Sequence, residues 1–141
     1  MIRPILLIFS FCLSLTSALA QEDCYLGLGG KNDSTIISVF QLNEFQIEQM
    51  KNWGAELNYR NGFLRDRANY LLKKHAQDSP EDLIEMSYEY QKLMDSMKSN
   101  MRMLDQRLLS LFNDNQYNLY VKLCHQVSRS PIFANRQVDE K

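Results

Sequence analysis

Three groups of side chains in this 141-residue chain have types and spacing that can do chemistry. The first is sulfur. Cys24 and Cys124 are the pair left once an N-terminal leader containing Cys12 is set aside. In an exported chain an even count suggests a bridge. Closing a loop of roughly 100 residues is worth about 4–5 kcal/mol in the chain-entropy model. Two free thiols, or a metal pair recruiting His75 or His125, are the competing readings, although the spacing matches no zinc signature. The second group is Met86, Met94, Met97, Met101 and Met103, five thioethers within eighteen residues. They can accept varied apolar partners, fill a helical interface, or offer soft ligands to Cu(I). The third is cationic: Arg60, Arg65, Arg67, Lys73 and Lys74, interleaved with Trp53, Tyr59, Phe63 and Tyr70. Such a face is either an ordinary solvated helix surface or one that draws in acidic, partly unfolded chains.

Catalysis finds no support in the sequence. Glu81, Asp82 and Glu85 cluster where a helix begins, and favourable interaction with the helix dipole accounts for them. Neither a Ser/His/Asp arrangement nor a glycine-rich phosphate loop has a recognisable context. The reading is therefore a non-enzyme with no catalytic residue, cofactor or metal assigned.

The elements that must position these groups are helices. Leu42-Asn43-Glu44-Phe45-Gln46 and Phe112-Asn113-Asp114-Asn115-Gln116 are two copies of one pattern, an apolar residue followed by Asn-x-x-Gln. Each is a capping box: the Asn side chain accepts from a first-turn N–H, and the Gln reaches back to the Asn N–H. The preceding apolar residue can act as a staple, Leu42 onto Ile47 and Phe112 onto Tyr117. From Asn43 to about His75, Met50, Trp53, Leu57, Leu64, Ala68 and Leu71 keep a helical period. Asn61-Gly62 is an expected kink or division. Ser79-Pro80-Glu81-Asp82 starts the next helix. Its stripe runs Leu83, Met86, Tyr90, Met94, Met97, Met101, Leu104, Leu108 and Leu111, the mean step being 3.5 residues. That period belongs to a helix packed lengthwise on another. The last helix runs from the second box to about Ser128, before Ser130-Pro131.

Residues 1–20 read as a cleavable secretory leader, with Arg3, an apolar stretch from Ile5 to Leu15, and Ala18-Leu19-Ala20 before Gln21. An uncleaved membrane anchor is the alternative. Residues 21–40 read as an irregular arm, in which Thr35 to Phe40 could be a short strand or a helical turn. Residues 41–128 form the helical domain and 129–141 a flexible tail. Without Arg3 the chain holds 15 basic and 17 acidic residues, a net charge of −2. That balance excludes a basic nucleic-acid footprint. No second apolar run is long enough to span a bilayer. The expected fold is all-α, with two long helices in an antiparallel hairpin and shorter flanking pieces. Two helices cannot enclose a sizeable core, so part of the stripe must face another element or a second chain.

The paired motifs resemble the Leu-Thr-x-x-Gln motifs of the Spy/CpxP-type periplasmic proteins, over about Phe40 to Val127. Asn stands for Thr in both copies and Phe for Leu in the second; Asn is as good a cap as Thr. The resemblance implies a kinked hairpin that forms a homodimeric cradle in the periplasm of a Gram-negative bacterium. It also implies one of three roles: an ATP-independent chaperone for partly folded envelope proteins, a regulatory adaptor of a sensor kinase's periplasmic domain, or a metal-responsive binding protein. The residues put forward for a client surface are Met86, Met94, Met97, Met101, Met103, Arg60 and Arg67.

Overall fold

Local capping chemistry sets the ends of the long helices in the computed structural model, which describes residues 21–136. The expected leader lies outside the described residues. Four helices follow in order: α1 (Asp33–Phe40), α2 (Glu44–Lys74), α3 (Pro80–Ser110) and α4 (Asp114–Gln126). The chain is all-α among the described residues; an isolated parallel bridge joins Asp23 to Ser130. Both Asn-x-x-Gln boxes form as reciprocal caps, Asn43 with Gln46 on α2 and Asn113 with Gln116 on α4. Ser79 caps α3 by accepting from the Asp82 N–H, with Pro80 in the first turn. Lys73 and Lys74 occupy the last turn of α2, where cations complement the helix dipole.

α2 and α3 are 31 residues each and joined by five, 75–79. They pack along their length. Partner numbers on α3 fall as those on α2 rise: Gln46 meets Leu111, Glu56 meets Arg107, and Asn61 meets Asn100. α2 is one helix across Asn61-Gly62, so of the expected kink or division the division does not occur. Asn61 is held from α3, accepting from the Asn100 amide at 2.9 Å. Gly62 has open space around it.

The core gathers at one end of this helix pair. Leu28, Met50, Leu104, Leu108, Leu109, Tyr120, Cys124 and Ile132 are essentially inaccessible to solvent. They come from the arm, all three larger helices and the C-terminal segment. Two expectations need correction there. The 21–40 arm is not irregular throughout: of the strand and helical alternatives for Thr35 to Phe40 the helical one forms, as part of α1, and Ile36 and Phe40 of that helix are buried. The 129–141 tail is not loose as far as Arg136. Ile132 is fully buried, and its N–H and C=O are taken by the Tyr120 and Tyr117 hydroxyls. Arg136 pairs with Asp114 and lies over the Tyr117 ring. The polar composition of that segment hid an apolar anchor. Residues 137–141 lie outside the described residues.

Candidate functional site

The two capping boxes do more than cap: they meet. Gln46 and Gln116 are both buried, and their amides bond each other reciprocally, Nε2 to Oε1 at 2.8 and 3.1 Å. Each Oε1 also accepts its own Asn N–H, at 3.0 Å for Asn43 and 2.9 Å for Asn113. Each Nε2 spends its second proton on a helix-end carbonyl. Gln46 donates to Leu111 O at the end of α3, and Gln116 donates to Phe40 O at the end of α1. One primary amide thus closes the start of its own helix and the end of another, and every donor and acceptor on it is used. A Glu could accept from the Asn N–H but could not donate. Leu42 and Phe112, the expected staples, are buried in the core against which Ile47 and Tyr117 pack, and the Phe112 ring lies 5.0 Å from Phe40.

A second polar centre holds the arm. Asp105, on the buried face of α3, accepts from the backbone N–H groups of Leu26, Gly27 and Leu28 at 2.7, 3.0 and 3.2 Å. Gly27 and Gly29 have φ of 73° and 79°, the left-handed values that let this turn aim its N–H groups inward. Burial pushes the Asp105 carboxyl above its usual range, against the opposing pull of the three donors. Gly29 in turn lies so close to Gly54 of α2 that a Cβ on Gly54 would stand 3.0 Å from the Gly29 Cα.

Cys24 and Cys124 are joined by a disulfide, so the free-thiol and metal-pair readings of these two residues give way. The bridge ties the arm to α4. Beside it the Tyr120 hydroxyl donates to Cys24 O at 2.7 Å, and burial pushes its pKa up to about 12. Between arm, α1 and α4 lies a cleft of about 450 Å³, lined by Tyr25, Ile36, Val39, Leu123 and the disulfide among others, with no charged side chain.

No family model, curated protein or solved structure matches this chain. Its candidate surface is therefore judged on geometry alone.

The other end of the helix pair differs in kind. Tyr59, Phe63, Tyr70 and Leu72 on α2, and Leu83, Ile84 and Tyr88 on α3, are exposed, several by more than 60%. The five candidate methionines are all half-buried. Met101 and Met103 pack against the core, whereas Met86, Met94 and Met97 lie along the thinner stretch of α3. Arg60 is paired with Glu56, which also binds Arg107, so it serves the α2–α3 contact. Arg67 is exposed. The structure thus separates the predicted set: Met101, Met103 and Arg60 support the packing, while Met86, Met94, Met97 and Arg67 lie in the less covered half of the helix pair. His75 bonds Asp78 in the α2–α3 connection, and His125 is exposed. Among the described residues no group of three or more His, Cys, Asp and Glu is placed to hold a metal.

Sequence reasoning missed the Gln46–Gln116 clasp and Asp105. For the clasp the available signal was that both boxes carry Gln, never Glu, at the third helical position. For Asp105 it was a lone carboxylate among Leu104, Leu108 and Leu109 on the apolar side of α3.

Proposed function

We propose that this protein is an exported, periplasmic, ATP-independent chaperone of envelope proteins, of the type that the Spy/CpxP resemblance implies. The helix pair acts as an antiparallel hairpin, paired with a second copy into a shallow cradle. The observation that carries the reading is the unburied apolar surface of the hairpin's far half. Seven large apolar side chains are exposed there, and the same stretches of α2 and α3 carry half-buried methionines and the exposed Arg65, Arg67, Lys73 and Lys74. Exposed aromatic and aliphatic side chains in that number mark a binding surface in a folded protein. Flexible thioethers and mixed charge suit loose contact with many unfolded segments rather than tight contact with one.

The mechanism is transient capture: apolar segments of a partly folded client cover the aromatic and methionine surface, which lowers the concentration of aggregation-prone chains. No nucleotide and no cofactor enter the cycle. A light-scattering assay with a reduced client tests it. Suppression of aggregation is expected at a few-fold excess over client, in the absence of ATP; no suppression by a well-folded sample sinks the proposal.

A further inference from the structure

The uncharged cleft between the arm, α1 and α4 lies at the core end of the helix pair, away from the exposed aromatic side chains. Its volume of about 450 Å³ suits a ligand site, and so does a mainly apolar wall carrying a few polar groups. The buried part of the wall is the disulfide with Ile36, Phe40 and Tyr120. Val39 and Val127 stand on its rim, 42% and 62% exposed.

Three polar side chains share the exposed part of the wall: Asn32, Thr35 and Gln126. Among the described residues none of them spends its side chain on a hydrogen bond. Asn32 holds the N-cap position of α1, yet it caps nothing, unlike Asn43, Ser79 and Asn113 on the other helices. The arm backbone adds to this set. Cys24 and Leu26 give their N–H groups to Ser130 O and Asp105. Tyr25 between them also lines the cleft, and among the described residues neither its N–H nor its C=O has a partner.

These groups discriminate between occupants. The wall offers no ion partner, so a charged side chain would lose its water unpaired. An acyl chain would cover the apolar part but displace water from the amides, the hydroxyl and the Tyr25 backbone without replacing its hydrogen bonds. A peptide with apolar side chains meets both demands, because its own N–H and C=O groups answer the polar ones. We infer that the cleft takes a short, uncharged, apolar peptide segment of a client. The inference rests on the chaperone reading for the source of that segment. It gives the protein a second site that selects against charge, whereas the far half carries cations.

A dye-labelled peptide of alternating Val and Ser, blocked at both ends, tests it by fluorescence anisotropy on the full, oxidised protein. The Val peptide should bind saturably, and a matched peptide with Lys for Val at least about tenfold more weakly. Val39→Glu and Val127→Glu each put a charge on the rim at an exposed position, and far-UV circular dichroism checks that helix content is kept. Each should weaken the Val peptide at least about tenfold. Thr35→Val with Gln126→Leu keeps the wall uncharged but removes hydrogen-bonding groups, and should weaken it several-fold. No saturable binding to the parent, equal binding of the two peptides, or binding untouched by both rim variants would each overturn the inference. So would a dye-labelled acyl chain whose binding Val39→Glu abolishes while the Val peptide fails to bind, since the cleft would then be a lipid site. Client protection is scored on the same samples. A parent that binds the peptide without protecting a client removes the chaperone reading and leaves the cleft; one that protects without binding the peptide removes the cleft and leaves that reading.

Discussion

The two ends of the helix pair obey opposite rules. At the end that carries the arm, α1, α4 and the C-terminal segment, buried polar groups are paired with care. Asp105 has three N–H partners, Gln46 and Gln116 use every donor and acceptor, and the Tyr120 hydroxyl both donates and accepts. Among the described residues no buried side-chain polar atom lacks a partner. At the other end two helices cover only each other, and Ala68 and Leu71 are the buried apolar residues of the last fifteen in α2. The comparison teaches that this chain concentrates its specifying interactions in one half. The other half is thereby free to carry aromatic and charged surface that contributes little to folding.

The largest expected stability effect lies at Asp105. Asp105→Ala leaves three N–H groups without acceptors, that of Leu28 fully buried and those of Leu26 and Gly27 partly so, and frees the turn that holds Leu28 in the core; the expected loss is about 4 kcal/mol by urea unfolding. The loss should depend on pH, with its sign set by the burial of the carboxyl. Because the folded-state carboxyl titrates above its unfolded value, this group's titration adds stability below the unfolded pKa and loses it as pH rises through the folded one. The gap between parent and variant should therefore widen on acidification. A gap below about 1 kcal/mol at every pH would mean that the arm holds itself without Asp105.

The clasp comes next. Gln46→Glu keeps an acceptor for the Asn43 N–H but removes both protons that reach Leu111 O and Gln116 Oε1, and it places a carboxylate where the side chain is buried. A loss of about 3 kcal/mol is expected, shrinking at low pH where the carboxyl regains a proton to donate. Asn43→Ala removes only the cap and should cost about 1 kcal/mol. Equal losses for the two would reduce the clasp to a pair of independent caps. Gln46→Ala combined with Gln116→Ala should fall well short of the sum of the single losses, since one substitution already breaks the shared bonds.

What was legible in the sequence was local. Asn43 with Gln46, Ser79 with Pro80, and Asn113 with Gln116 act within one helical turn, so they mark helix starts from types and spacing alone. The Cys24–Cys124 bridge followed from cysteine parity, on the expectation of export. The clasp joins residues 70 apart and Asp105 holds N–H groups 77 to 79 residues away. Contacts of that kind depend on how helices meet, which no local period encodes. Gly54 shows the same limit: mid-helix it reads as a small local cost, yet it is where the Gly29 backbone approaches α2. The candidate surface was half legible. Helical spacing gathered Met86, Met94, Met97 and Met101 on one stripe, but how much of the stripe is covered depends on the arm and on α4, which shield only its C-terminal half.

The smallest expected effect on stability carries the most weight for function. Phe63 is 63% exposed and stacks edge-on against Tyr59 rather than against the core. Phe63→Ser should change the unfolding free energy by no more than about 0.5 kcal/mol, the usual range for a surface site away from caps and buried partners. If the far half binds clients through its exposed aromatics, the same substitution should weaken client protection several-fold, with helix content unchanged. Leu104→Ser is the matched control in the other half: Leu104 is fully buried, and its loss should cost several kcal/mol and reduce function only through unfolding. A Phe63→Ser variant that unfolds like Leu104→Ser would show that the far half is core after all. One that keeps both stability and binding would leave the exposed aromatics without a role, and the division between a specified half and a working half would fail at the working half.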